Sequence, residues 1–282
     1  MDIGKEEFEK IISSIDDDLA KKNVSIPKRP VTAAFELLKK LKISAPLFHP
    51  YEKDLSFPVK TQNLSYHVYQ WYENTYRELT YIDPCPAKFP FHFYGNAYEV
   101  ALPLLFGNFL IIGSKHKFTD ENILNAVDSI KNLPDHVRSK MSGQEEGYIQ
   151  TIFYTCLEVS AEVKKYKSDL MLSANNDIIV SNDLICGFNK NSALSAWHSL
   201  QFIEKILKEY ISKNATFPQI HDIKKLQKKA EEFGYKADPN INWGLFNFGP
   251  SVRYEPGSID TELAVRINHE AWRIAYNVLK QM

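Results

Sequence analysis

A chain of 282 residues is long enough to bury a full hydrophobic core, as one large domain or two smaller ones. Its 44% hydrophobic and 24% charged content is ordinary globular usage and excludes wholesale disorder. A formal net charge of -1 excludes a general attraction to nucleic acid or anionic membrane, so any such binding must come from a local patch.

The longest apolar runs, residues 100–106 and 109–112, are separated by Gly107 and Asn108, and Pro103 breaks the first of them, well short of a bilayer span. The amino terminus is charged from Asp2 onward and lacks the apolar core of a secretory signal. Cys85, Cys156 and Cys186 are odd in number and widely spaced, which suits reduced thiols better than a disulfide framework. The expected setting is the cytoplasm, with no membrane partner.

Phe8, Ile11, Ile12, Ile15 and Leu19 recur at helical spacing, and Glu6, Glu7, Asp16, Asp17 and Asp18 read as the solvated face of the same helix. Pro30 is placed to open a second helix carrying Phe35, Leu37, Leu38 and Leu41, followed by a loop through Pro46, Pro50 and Pro58. Residues 61–82 repeat Leu64, Val68, Trp71, Tyr72, Tyr76 and Leu79 in steps of three and four and predict a third helix. Asp83 to Pro86 and Phe89 to Tyr94 then form an aromatic loop, since their prolines stop a helix. Such a loop either covers the core or offers ring faces to a base or a small ligand.

A short strand is expected at residues 109–112 and a helix over residues 118–133, capped by Thr119 and carrying Ile123, Leu124, Val127 and Ile130. Another helix covers residues 145–166, with Tyr148, Ile149, Ile152, Phe153, Cys156, Leu157 and Val163 as its apolar stripe and Cys156 buried and inert. Residues 173–177 read as a polar turn before a strand at residues 178–180 that ends at Asn182 and Asp183. With the junction near Gly187, the chain is mainly α. A mostly helical amino-terminal domain of unknown type with a few short strands (residues 1–186) precedes a carboxy-terminal up-and-down helical bundle (residues 187–282).

In that bundle Leu194, Trp197, Leu200, Phe202, Ile203, Ile206, Leu207, Tyr210 and Ile211 mark a long, well-buried helix, with Ser192 as its cap. After a loop through Pro218, Asp222 caps a second helix that runs to Gly234. Ser258 or Asp260 opens a final helix carrying Leu263, Ile267, Ala271, Ile274 and Val278.

The common catalytic signatures are missing: there is no P-loop, GxGxxG run, CxxC pair, HExxH helix or GxSxG elbow. Cys85 and His92 lack further donors at defined spacing, so no metal site is expected, and His49, His67, His116 and His136 read as surface or structural imidazoles. Arg266, His269 and Arg273 fall at i, i+3 and i+7 of the final helix. That face would set an imidazole base beside two cations, with Glu204 orienting one of them, which is the equipment for metal-free RNA cleavage. Alternatively, Arg266 and Arg273 pair with Glu262 and Glu270 while His269 packs. From Lys190 onward 13 basic residues face 10 acidic ones, and Lys224, Lys225 and Lys228 form a basic side on the second helix suited to phosphate.

The order Glu204-Lys205-x-x-Lys208, His221-Asp222-Ile223-x-x-Leu226, Arg253-Tyr254 and a closing helix resembles the HEPN superfamily over the carboxy-terminal third of the chain. The resemblance implies a helical bundle that binds RNA or a nucleotide without a cofactor, with metal-independent ribonucleases of defence or toxin-antitoxin systems among its members. The family's ribonucleases separate an arginine from a histidine by a longer interval than here, where Arg266 meets His269 after two residues and Arg253 has no histidine in range. Catalysis would fall to Arg266, His269 and Glu204, and nucleic-acid contact to Arg273, Arg253, Lys224, Lys225 and Lys228. Two other readings stay open. One is a catalytically inactive module whose bundle dimerises while the amino-terminal domain meets a protein partner, and the other is a small-molecule protein built on the aromatic loop at residues 89–94. A homodimer is expected for the bundle in the leading reading as well.

Overall fold

The computed structural model describes residues 3–46, 55–77, 87–118, 122–216 and 219–282. The expectations placed on His49, Pro50, residues 79–86 with Cys85, Thr119 and Pro218 lie outside the described residues. The protein is mainly α, with short strands paired in two-stranded sheets. It divides into two compact units: residues 1–86 with 101–129, and residues 87–100 with 130–282. The junction expected at Gly187 falls inside the second unit, between two helices that pack on each other.

The first unit is built on α1 (Lys5–Lys21), α2 (Arg29–Leu41) and α3 (Leu64–Tyr76). Their apolar stripes meet in one core of Phe8, Ile12, Ile15 and Leu19, Ala33, Ala34, Leu37 and Leu38, and Leu64, Val68 and Tyr72. Asp16 was expected on the solvated face but is buried, where it accepts hydrogen bonds from Tyr76 and Arg29. Burying a carboxylate is tolerated only with such partners. Two small sheets complete this unit, β1 (Ala45–Pro46) antiparallel to β4 (Leu105–Phe106) and β5 (Leu110–Ile112) parallel to β6 (Ile123–Asn125). The helix expected over residues 118–133 is replaced by β6 and a 3-10 turn, Ala126–Ser129. Asn125 is the cause: its amide accepts from the Ser114 N–H at 2.9 Å and donates to the carbonyls of Ser114 and His116 at 2.8 and 3.0 Å. Those bonds offer the chain an alternative to the helical ladder.

The second unit opens with β2 (Ala87–Phe93) and β3 (Asn96–Leu102), although the last two residues of β3 belong to the first unit. The turn between the strands has φ of 49° at Tyr94 and 76° at Gly95, the left-handed pair that a tight hairpin requires. The expected aromatic loop is therefore mostly strand. Phe89, Phe91 and Phe93 sit at alternate positions and are all buried, so they form core and leave no ring face for a base or a small ligand.

After the short α4 (Asp135–Arg138) come α5 (Gly143–Val163), α6 (Asp169–Cys186), α7 (Ser192–Ser212), α8 (Ile223–Glu232) and α9 (Thr261–Leu279). Helix α7 packs along α6, α8 and α9, and α5 lies on α9. Capping follows local chemistry: Ser142 and Glu145 form a capping box, while Ser168, Asn191, Asp222 and Asp260 each accept a backbone N–H at a helix start. The α7 cap is thus Asn191, one residue before the expected Ser192.

The turn and strand expected at residues 173–180 are the middle of α6. Met171, Ala174, Ile178, Ser181 and Ile185 form one buried stripe along α6, and packing against α7 overrides the turn chemistry of the Asn-Asn-Asp run. Where α6, α7 and α9 meet, Ser181 Oγ bonds to the hydroxyls of Ser195 and Ser199 at 2.9 and 2.8 Å and accepts from Asn268 at 2.9 Å. No helix among the described residues is long and apolar enough to cross a membrane.

Phe202 on α7 is fully buried with its edge on Trp272 of α9, ring centroids 5.5 Å apart. Phe202→Ala should therefore lower unfolding stability by about 3–5 kcal/mol, measured by urea denaturation, whereas truncating the fully exposed Phe188 should change it by less than ~0.5 kcal/mol.

Candidate functional site

The three residues expected on one catalytic face of α9 do not share one. Arg266 is exposed, His269 is buried at 3% exposure, and Arg273 is tied down by its neighbours. His269 Nε2 donates to the Pro90 carbonyl at 2.6 Å and Nδ1 accepts from the Tyr148 hydroxyl at 2.6 Å. Both ring nitrogens are committed, and of the two neutral tautomers only the Nε2–H form satisfies both partners. Burial pulls the imidazole pKa down from 6.5 to about 4, so at neutral pH His269 is an uncharged strut joining α9, β2 and α5. It has no free nitrogen with which to act on a substrate, so Arg266 and His269 do not form the expected catalytic pair. Burial also raises the thiol pKa of Cys156, which is fully buried on α5.

Arg273 donates to Glu270 Oε2 at 2.9 Å and to the Asn240 carbonyl at 3.3 Å, and Glu270 Oε1 accepts from the Asn242 N–H. This pair of side chains anchors the connection between α8 and α9 just before Trp243. Just past the end of α9, Gln281 holds the same connection by bonds of 2.8 and 2.9 Å to the backbone of Lys236. Arg273 is therefore a brace.

The segment so anchored forms one wall of a groove of about 420 Å³. Trp197 and Leu200 of α7 form a second wall, and residues 221–224 at the start of α8 form a third. From the braced segment come Trp243, Phe246, Phe248 and Pro250. Trp243 Nε1 is buried without a hydrogen-bond partner among the described residues.

Glu204 sits behind the α8 wall and makes no hydrogen bond to Arg266, His269 or Arg273. It is 3% exposed, accepts from Lys208 at 2.8 Å and from Gln201 at 3.2 Å, and its Oε1 lies 2.9 Å from His221 Nδ1. A carboxylate oxygen accepts, so Nδ1 donates, and among the described residues Nε2 has no hydrogen-bond partner. The His221 side chain is 75% exposed and lines the groove, which leaves Nε2 open to a ligand.

Lys224 lines the groove next to His221 and, among the described residues, has no ion-pair partner. Arg253 lies over the Trp197 ring with its guanidinium carbon 4.5 Å from the centroid, a cation–π contact at the edge of the groove. Lys225 and Lys228 are exposed on α8 but do not line it. Of the expected residues the structure thus brings Glu204, Lys224 and Arg253 together and leaves Arg266, His269, Arg273, Lys225 and Lys228 apart. Trp197, Trp243, Phe246, Phe248 and His221 were missed. The usable signal was the run Trp243-Gly-Leu-Phe246-Asn-Phe248-Gly-Pro250, where large aromatic residues collect in a segment too rich in Gly and Pro for a core helix.

Comparison of the chain with models of protein families, with curated proteins and with solved structures gives no match.

The buried imidazole of His269 makes stability depend on pH. An unfolded histidine binds its proton near 6.5 and the folded one near 4, so the unfolded state holds more protons between those values. Stability from this site is fully present above pH 6.5 and is lost as pH falls toward 4. The free energy of unfolding should fall by on the order of 3 kcal/mol across that window, and in His269→Gln, which cannot take up a proton, the slope should be shallower. Chemical denaturation at pH 7, 5.5 and 4.5 measures both.

Proposed function

We propose that the second unit is a HEPN-like module that binds a nucleobase joined to a phosphate, as RNA or as a free nucleotide, in the groove between α7, the start of α8 and residues 243–250. The observation that carries this reading is the wall composition. Aromatic side chains offer faces to a base, while Lys224, the Nε2 edge of His221 and the nearby Arg253 offer charge or hydrogen bonds to a phosphate.

Size supports the same ligand. A volume of about 420 Å³ suits one nucleotide unit within the usual range of small-molecule sites and is too small for a duplex. The sequence elements behind the HEPN resemblance also converge here, through the contact of Glu204 with His221 and that of Arg253 with Trp197. Recognition, rather than cleavage by Arg266 and His269, is the role we assign. The unpaired thiols of Cys156 and Cys186 accord with a reducing compartment, and we assign the protein to the cytoplasm.

Isothermal titration with adenosine and uridine 5′-monophosphates and with a short single-stranded RNA tests the proposal. Wild type should bind, Trp243→Ala should weaken binding by roughly 5- to 150-fold, the span expected for one stacked base, and Lys224→Ala should weaken it and flatten its salt dependence. Arg266→Ala should leave affinity unchanged. Absence of binding to all three ligands, or binding indifferent to Trp243 and Lys224, would refute it.

A further inference from the structure

Tyr254 is a large aromatic residue that folding does not use. The residue is 76% exposed, and its hydroxyl has no hydrogen-bond partner among the described residues. It ends the 3-10 helix Pro250–Tyr254, whose first residue, Pro250, lines the groove. At about 2.0 Å rise per residue the two ends of that helix stand ~8 Å apart. That is farther than one base reaches and within the span of two unstacked nucleotides.

Arg253 joins these two places. Its Nε donates to the Pro250 carbonyl at 3.1 Å, which fixes the side chain. Its guanidinium carbon lies 4.5 Å from the Trp197 ring centroid and 5.2 Å from that of Tyr254. Among the described residues its terminal N–H groups have no carboxylate partner, so a fixed fork of donors stands between an aromatic wall of the groove and an aromatic ring outside it.

We infer that this arrangement is a second subsite, and that the ligand of the groove is a single-stranded polynucleotide of at least two nucleotides. One base occupies the groove, the next stacks on Tyr254, and the phosphate between them meets Arg253. The inference rests on the binding reading above and adds a chain length and a direction of travel along the surface.

The test compares adenosine 5′-monophosphate, the dinucleotide ApA and a hexanucleotide of adenylate by equilibrium titration against wild type, Tyr254→Ala and Arg253→Ala. Tyr254 is exposed, so its truncation leaves the fold intact, and a circular dichroism melt verifies this. The dinucleotide should bind roughly tenfold or more tightly than the mononucleotide. Tyr254→Ala should remove that gain without changing mononucleotide affinity, and Arg253→Ala should cost the dinucleotide more than the mononucleotide. Equal affinity for the two ligands in wild type, or an equal loss for both in Tyr254→Ala, overturns the second subsite while leaving the groove's own reading in place. Failure of every ligand to bind overturns both.

Discussion

Burial of α7 is the constraint on which the second unit depends. Thirteen of its 21 residues are buried, so each buried polar side chain on it must find a partner inside the protein. Ser195 and Ser199 find Ser181, which in turn takes the amide of Asn268, and those bonds set the register of α6, α7 and α9. Glu204 and Lys208 find each other one turn apart. Removing either partner of a pair this deep typically costs about 3–5 kcal/mol, because it leaves a charge buried alone. The carboxylate also reaches His221, so a demand made by the core ends by fixing the ring that lines the groove at the start of α8.

The opposite wall is held from α9 and from the residues just after it. Glu270, Arg273 and Gln281 each bond to backbone between α8 and α9, and that connection carries Trp243, Phe246 and Phe248. Aromatic side chains in an irregular segment are useful to a ligand only if the segment keeps its shape, and these bonds supply that order before any ligand arrives. Arg273, which a functional reading of α9 takes for a phosphate-binding cation, is instead a support of a site that lies elsewhere.

The helices with strong periodicity were legible from the chain: α1, α2, α5, α7, α8 and α9 all appear within a few residues of their expected bounds. Helix α6 was not, because its Asn-Asn-Asp run carries turn chemistry and only the packing partner α7 reveals that Ala174, Ile178 and Ser181 share a buried face. The α9 spacing was read correctly and its meaning was not, since periodicity says which residues share a face and does not say which polar member is buried. His269 became core because the backbone of β2 and the hydroxyl of Tyr148 complete its hydrogen bonds, and neither is near it in sequence. The groove was illegible for the same reason. Its walls come from residues 197–200, 221–224 and 243–250, and only the tertiary fold brings them together.

The four tryptophans allow a direct test of where a ligand sits. In a ¹H–¹⁵N spectrum each indole N–H gives its own signal, and Trp197 and Trp243 line the groove whereas Trp71 and Trp272 do not. Titration with adenosine 5′-monophosphate should move the Trp197 and Trp243 signals together along one binding curve and leave those of Trp71 and Trp272 in place. Stationary Trp197 and Trp243 signals up to the solubility of the nucleotide, or shifts confined to Trp71 and Trp272, would contradict a nucleotide site in this groove.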